Sequence, residues 1–269
     1  MRRLMTVLLG VYLFIYVFAV PMLLLDLVPS WGTWMGGFLN ILQGSLVALW
    51  LQANAGWRGG LAACCIAGLS FAVEHIGVTT GVPFGRYSYS EVLGFKVGGD
   101  VPLPIPFAWL LVVAGAIGAA RLLGVGRRWL LLAAPLLVLF FDLLLEPFAV
   151  YTMGYWLWIE SGPYYGVPTA NFVAWAGTGL VLSAITLALT SRTPEPHALP
   201  FIPALLYVLN IVQFTLVDLV EGYTLAGLLG LAGLFAAALH LAINADRSPL
   251  TAWLRASGWR TSPRAEPES

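Results

Sequence analysis

The chain has 269 residues, of which 59% are hydrophobic and 10% are charged. A soluble domain carries about 25% charged residues, so this chain cannot cover a water-facing surface, and lipid is its expected solvent. Basic and acidic residues number 13 each, so the net charge indicates no partner. Because no basic patch and no zinc-finger spacing is present, nucleic acid is not an expected partner.

Apolar stretches of roughly 20 residues, the length that crosses a bilayer, recur along the whole chain. They predict an all-α, polytopic membrane helix bundle with about eight transmembrane helices, at 4–25, 34–54, 60–80, 104–123, 129–150, 170–190, 199–220 and 223–244. The first run is too long for a signal peptide, so we expect a retained span. Residues 1–247 are expected to form one transmembrane domain, and residues 248–269 a polar cytoplasmic tail.

The distribution of basic residues predicts the orientation of this bundle. If the N-terminus is cytoplasmic, the inner segments hold 11 of the 13 basic residues, and the outer loops hold only Arg86 and Lys96. This asymmetry is the one that the positive-inside rule requires. It predicts that both termini are cytoplasmic, in a multi-pass protein of the cell membrane, with a bacterial plasma membrane as the expected location.

Four acidic residues fall within or at the edge of the predicted spans, towards the outer side: Glu74, Asp142, Glu146 and Asp218. Ionisable groups at membrane depth are costly and usually serve function, and removal of water disfavours their charged form. Asp142 and Glu146 are four residues apart, so they share one helix face and resist joint ionisation. We interpret them as a proton donor with its partner. The alternative is a pair of helix-end groups that bind Arg86 or Lys96. Asp218 is interpreted as a solvated helix end.

Three further residues complete the candidate catalytic set. Glu74 is expected to lie opposite Asp142 across the bundle, with His75 beside it to tune or relay a proton. A packing role is the alternative for His75. Arg86 follows a Gly-Pro turn and could hold an acid ionised or orient water, with an interfacial anchor as the alternative. The candidate catalytic residues are Glu74, His75, Arg86, Asp142 and Glu146.

Two long outer loops, about 81–103 and 151–169, are rich in glycine, proline and aromatic residues, and each contains Gly-Val-Pro. Each precedes a span that starts with an aromatic pair, which suggests a weak repeat of helix hairpins, unless Gly-Pro turns simply recur. An interfacial belt explains most of the aromatic residues, but a few could line a pocket and stabilise a cation. The candidate substrate-binding residues are Tyr87, Phe107, Trp109, Tyr155, Trp156, Tyr165, Asn171 and Trp175.

No pattern in the chain is typical of a bound metal or cofactor. Gly115-Ala116-Ile117-Gly118 lies inside an apolar helix rather than after a strand, so it indicates close helix packing and not dinucleotide binding. Three scattered histidines cannot build a His-rich di-iron site. We therefore expect no cofactor and no metal, and predict acid–base chemistry on an apolar molecule.

Five motifs of the chain are informative as a set: Glu74-His75-Ile76-Gly77-Val78, Val101-Pro102-Leu103-Pro104, Asp142-x-x-x-Glu146-Pro147, Gly154-Tyr155-Trp156-x-Trp158 and Asn171-Phe172-x-x-Trp175. Together they resemble the CruF-type family of membrane carotenoid biosynthesis proteins, the carotenoid 1′,2′-hydratases, which includes bisanhydrobacterioruberin hydratase-like members. The resemblance implies that water adds to the terminal 1′,2′ double bond of an acyclic carotenoid, such as lycopene, γ-carotene or a C50 precursor. It also implies a carotenoid substrate within the bilayer, with other carotenoid biosynthesis enzymes as candidate partners.

Hydration of such an alkene needs a proton donor, a site that tolerates a tertiary carbocation, and one water molecule. We hypothesise that the Asp142/Glu146 pair or Glu74 protonates C-2′ and that water attacks C-1′. Two alternatives stay open. A membrane carotenoid cyclase would capture the cation with an internal alkene, although its Pro-x-Glu-type motif is not found here. A lipid or proton-coupled transporter would use the acids differently, but lacks the broken helices expected of it.

Overall fold

The computed structural model describes residues 1–191 and 198–244, and the predicted tail lies outside this part of the chain. Within these ranges, seven helices are long and apolar enough to cross a membrane. They are α1 (Arg2–Leu24), α2 (Met35–Thr80), α3 (Pro104–Leu122), α4 (Leu130–Pro147), α5 (Thr169–Leu189), α6 (Ile202–Val220) and α7 (Thr224–Ile243). The molecule is therefore a helical membrane bundle, as its composition predicts.

Helix α2 is long enough to cross a bilayer twice. Its 46 residues would extend about 70 Å as one straight helix, whereas a hydrocarbon core is about 30 Å thick. The backbone is not helical at Gly56, where φ is 58° and ψ is −143°, a conformation that favours glycine. A methyl group at Gly59 would overlap the Leu51 carbonyl, although residues eight apart in a straight helix are about 12 Å apart. Residues 35–55 and 57–80 therefore fold back against each other.

Helix α3 forms the centre of the bundle. Most of its residues are buried, and it packs against α2, α4 and α6. A Cβ atom added at Gly115 would lie 2.8 Å from the Tyr207 Cβ, and one added at Gly118 would lie 2.9 Å from the Ala204 nitrogen. The close packing predicted for this glycine pair is confirmed. By contrast, α1 and α7 each bury only three residues and cover the outside of the bundle.

The described loops contain four short strands, which the prediction of an all-α bundle did not include. They are β1 (Tyr87–Tyr89), β2 (Lys96–Val97), β3 (Val101–Pro102) and β4 (Trp156–Trp158). Strand β1 pairs with β4, and β2 pairs with β3, both antiparallel. The β1–β4 pair joins the two long loops over the ends of α2 and α4, and so positions the aromatic residues of both.

Register fixes which side chains of the β1–β4 pair share a face. Tyr87 lies opposite Trp158, and Tyr89 lies opposite Trp156. Because directly opposed residues point to the same face of a sheet, all four aromatic side chains lie together. The rings of Tyr87 and Trp158 have centroids 5.2 Å apart. The intervening residue of β1, Ser88, points to the other, exposed face.

Candidate active site

Three carboxyl groups are buried where α2 and α4 approach the β1–β4 pair. The exposed fraction is 4% for Glu74, 0% for Asp142 and 1% for Glu146. Glu74 lies near the C-terminal end of α2. Asp142 and Glu146 lie one turn apart on α4, which ends at Pro147 and continues as a π-helical turn, Phe148–Thr152.

Glu74 accepts three hydrogen bonds. Its Oε2 accepts from the hydroxyls of Tyr87 at 2.6 Å and Tyr89 at 2.8 Å, and its Oε1 accepts from Trp109 Nε1 at 2.9 Å. Burial, and then the charge of Glu74, raise the pKa of the Tyr87 and Tyr89 hydroxyls. Both phenols therefore stay protonated and can donate to the carboxyl group.

Glu146 also accepts three hydrogen bonds, from different groups. Its Oε2 accepts from Trp158 Nε1 at 2.9 Å and Trp156 Nε1 at 3.2 Å, and its Oε1 accepts from Asn171 Nδ2 at 3.0 Å. The same Asn171 nitrogen donates to Asp142 Oδ2 at 3.0 Å. The Asp142 Oδ1 atom is buried and has no hydrogen-bond partner among the described residues. A single amide at the start of α5 thus holds both acids of α4.

A cavity of about 70 Å³ is lined by the carboxyl groups of Glu74 and Glu146. A water molecule needs about 10–15 Å³, so the cavity has room for a few waters or for the branched end of a hydrocarbon. Besides Glu74 and Glu146, its walls are mostly aromatic and aliphatic, and include Phe84, Ile105, Phe141 and Phe214.

Two tryptophans form one wall of this cavity. The rings of Trp109 and Trp175 stack with centroids 4.3 Å apart and an interplanar angle of 25°. Aromatic faces attract positive charge. Since Asp142 contacts the cavity only through Asn171, Glu74 and Glu146 are the acids that face a ligand.

The structure brings together most of the candidate residues selected from the sequence. Three of the five candidate catalytic residues form the buried carboxyl cluster. Six of the eight candidate substrate-binding residues line the cavity: Tyr87, Trp109, Tyr155, Trp156, Asn171 and Trp175. Their assignment to a substrate stays a prediction.

His75 and Arg86 lie apart from the carboxyl cluster. The His75 side chain is 46% exposed and its Nδ1 lies 3.3 Å from Asp100 Oδ2. Arg86 is 71% exposed, and its Nε lies 3.7 Å from Glu160 Oε1. Neither contacts the cavity, so the geometry gives no support to a catalytic role for either residue.

Phe107 and Tyr165 also lie outside the cavity lining. The backbone and Cβ of Phe107 pack against Gly44 of α2. The Tyr165 hydroxyl accepts hydrogen bonds from the backbone nitrogens of Leu225 at 3.0 Å and Ala226 at 3.4 Å. These nitrogens lie in the first turn of α7, where helices have unpaired donors. The contacts of Tyr165 are therefore those of a helix cap.

The selection of binding residues missed Tyr89 and Trp158, which donate directly to Glu74 and Glu146. As aromatic residues of the long outer loops, both are also explained by an interfacial belt. Alternation relates each to its partner, because Tyr87-x-Tyr89 and Trp156-x-Trp158 place both members on one strand face, but a run of three residues is too short for this signal to identify a strand. Asn40 and Asn210, two polar residues of the cavity wall, were also missed.

The site consists of two similar halves. The Glu74 half comprises Glu74, Tyr87, Tyr89 and Trp109. The Glu146 half comprises Glu146, Trp156, Trp158 and Asn171, with Asp142 behind it. In each half, an acid on a helix is followed by two alternate aromatic residues on a strand and by a donor in the next helix. The Gly-Val-Pro motifs are not equivalent in this arrangement, since one precedes β1 and the other follows β4.

A helical membrane bundle with acids around an aromatic cavity defines a class of intramembrane protein suited to apolar molecules. The family model described as carotenoid biosynthesis protein matches residues 35–237, a range that contains both halves of the site. The chain belongs to this family.

The similarity extends to a characterised relative. Bisanhydrobacterioruberin hydratase of Haloarcula japonica is 36% identical over 129 residues, which are 46% of this chain and 43% of the relative. The match thus spans less than half of the length of that protein. No solved structure matches the chain.

Proposed function

We propose that this protein is a carotenoid 1′,2′-hydratase, which adds water to the terminal double bond of an acyclic carotenoid end group and gives a 1′-hydroxy carotenoid. The observation that carries the proposal is the pair of buried carboxyl groups, Glu74 and Glu146, that face one aromatic cavity. The family and the name of the Haloarcula relative support the same chemistry. Lycopene, γ-carotene and C50 precursors are the candidate substrates.

The reaction needs only proton transfer and one water molecule. A carboxyl group of the site protonates C-2′, which leaves a tertiary cation at C-1′. The oxygen of water bonds to C-1′, and its surplus proton passes to a carboxylate, so the product is the alkene plus one water. General acid catalysis of this kind contributes roughly 10²–10⁴-fold, and the rings of Trp109 and Trp175 are placed to stabilise the cation.

The proposed location is the cell membrane, with eight spans and both termini in the cytoplasm. Helix α2 supplies two of these spans, because residues 35–55 and 57–80 fold back at Gly56. The carboxyl cluster then lies towards the outer side. Since a cavity of about 70 Å³ holds only the end of a C40 chain, the rest of the polyene lies along the helices in lipid.

Expression in a lycopene-producing bacterium tests the proposal. We expect a more polar pigment with a mass gain of one water, and ¹⁸O from labelled water in its hydroxyl group. The double variant Glu74→Gln/Glu146→Gln should give unchanged lycopene. Glu160→Gln, which replaces a half-exposed acid outside the cavity, should behave as the parent protein does.

The two alternative functions predict different pigments. A cyclase would give an isomer of unchanged mass without ¹⁸O, and a transporter would leave the pigment chemically unchanged. Either result with the parent protein would refute the hydratase proposal.

A further inference from the structure

We infer that the acids of the two halves have different roles: Glu74 transfers the proton, and Glu146 remains a carboxylate that acts as a fixed counter-ion. The cavity is consequently a binding site for acyclic isoprenoid ends that carry a positive charge, such as a tertiary ammonium group. This inference builds on the proposed function, because it assigns roles within the same site.

The partners of Glu146 suit a carboxylate and not a carboxylic acid. The indole nitrogens of Trp156 and Trp158 donate hydrogen bonds and cannot accept them. The third contact is also a donor, the amide nitrogen of Asn171. A proton on Oε2 would therefore point at another hydrogen, and the described residues that donate hydrogen bonds to Glu146 supply no acceptor for a proton on Oε1.

Asp142 explains how a charge on Glu146 is tolerated so far from water. The two acids share the Asn171 amide, and like charges at this separation resist joint ionisation. The Asp142 Oδ1 atom has no partner in the described ranges and is free to carry the one proton of the pair. The charge thus rests on Glu146, which faces the cavity, and the proton rests on Asp142, which does not.

The partners of Glu74 suit both protonation states. A phenol hydroxyl can donate or accept a hydrogen bond, so Tyr87 and Tyr89 can turn to accept from a protonated Oε2. Once the proton has left, both hydroxyls donate to the new carboxylate, in the arrangement that the structure shows. Of the two acids that face the cavity, Glu74 is the one whose contacts allow a proton to be held and released.

A fixed carboxylate beside stacked aromatic rings defines the chemistry of a ligand. Charged hydrogen bonds and cation–π contacts are stronger where water is excluded. Protonation of the alkene places the cation at C-1′, which carries two methyl groups. A dimethylammonium group at the position of C-1′ carries the same charge and the same two methyl groups, and the matching isopropyl compound has the shape of the ammonium compound without its charge.

The test compares the binding of these two short ψ-end analogues to the full-length protein in detergent, followed by quenching of tryptophan fluorescence. The parent protein should bind the ammonium compound at least 10-fold more tightly than the isopropyl compound. Glu146→Gln should abolish this preference, and Glu74→Gln should keep it. Equal binding of the isopropyl compound by all three proteins shows that the cavity is intact.

Loss of the preference in Glu74→Gln with retention in Glu146→Gln would reverse the assigned roles, and lack of preference in the parent protein would refute the counter-ion. Since binding is measured without turnover, the result is independent of the pigment experiment. A protein that keeps the Glu146-dependent preference but makes no hydroxy carotenoid would refute the hydratase proposal alone.

Discussion

The Glu74 half and the Glu146 half of the site share a plan and differ in chemistry. Each acid accepts two hydrogen bonds from alternate residues of a strand and one from the start of the following helix. The strand donors are tyrosines in one half and tryptophans in the other. Because only phenols can also accept, the same geometry allows a proton to be exchanged on one side and keeps a charge fixed on the other.

The order of residues along the chain explains how the two halves meet. Trp109 lies in α3, which follows β1 along the chain, and Trp175 lies in α5, which follows β4. The two rings stack against each other in the wall of the cavity. Trp109 also donates to Glu74, whereas in the other half this hydrogen bond comes from Asn171. The halves are therefore similar in arrangement without being identical in sequence.

The proposed difference between the two halves is tested most directly by removing the strand donors of each half in turn. Tyr87→Phe/Tyr89→Phe should lower the turnover about 10²–10⁴-fold, because the carboxylate formed on Glu74 loses two donors, each worth about 1.5–3 kcal/mol. The melting temperature should fall less than in the matching tryptophan variant below, because a neutral Glu74 is less costly to leave without partners than a buried carboxylate. Product formation and thermal unfolding in detergent measure the two effects.

The matching variant Trp156→Phe/Trp158→Phe should mainly lower the melting temperature, because Glu146 is charged at rest and loses two donors. Trp175→Phe is the control for lost ring volume, since its indole donates no hydrogen bond within the described part of the chain. If the tyrosine pair affected stability and the tryptophan pair only turnover, the comparison between the halves would be wrong.

A smaller effect is expected from glycine substitutions in α2. A Cβ atom at Gly77 would lie 2.6 Å from Phe84 Cδ2 and 3.0 Å from the Tyr87 hydroxyl. Gly77→Ala should therefore displace Tyr87, destabilise the protein by about 1–3 kcal/mol, and lower activity several-fold.

Gly68 is the control for this substitution, because it lies in the same helix with nothing within 4 Å of an added Cβ. Gly68→Ala should be neutral or slightly stabilising, since alanine favours a helix by up to about 1 kcal/mol. Equal loss of activity in both variants would show that the effect comes from the helix and not from the position of Tyr87.

The smallest effects are expected for the two residues outside the site. His75→Gln and Arg86→Gln should each change product formation less than about threefold. This fold-change corresponds to about 0.5 kcal/mol, which is the usual size of the effect of a surface substitution. A loss of product comparable to that of the acid variants would return either residue to the catalytic set. The pigment assay of the same bacterium measures both.

The bundle was predictable because lipid imposes long apolar runs, and the burial of Glu74, Asp142 and Glu146 followed from the cost of exposing acids to lipid. The exposed position of His75 was not predicted. Consecutive residues of a helix point about 100° apart, so the side chain of His75 points away from the cavity when that of Glu74 points into it. Tyr165, predicted to bind substrate, lies outside the cavity lining. It adopts a positive φ of 47°, which the sequence alone does not indicate, and its hydroxyl accepts hydrogen bonds from the start of α7.

The three-residue strands β1 and β4 could not be predicted from the sequence either. A run such as Tyr87-Ser88-Tyr89 is too short for its alternation to differ from chance, and its pairing with β4 depends on a partner about 70 residues away. The sequence therefore predicted one binding residue in each strand, Tyr87 and Trp156. Tyr89 and Trp158, two positions further along, were left to the interfacial belt.

The register of β1 against β4 determines whether each acid keeps its strand donors. Since side chains alternate along a strand, a slip of one residue in either strand would turn both aromatic rings of that strand to the opposite face. A slip of β1 would remove two of the three donors of Glu74, and a slip of β4 would remove two of the three donors of Glu146. A one-residue change of register is thus enough to disrupt one half of the pocket, and length variation in the loops is tolerable only beyond the paired residues.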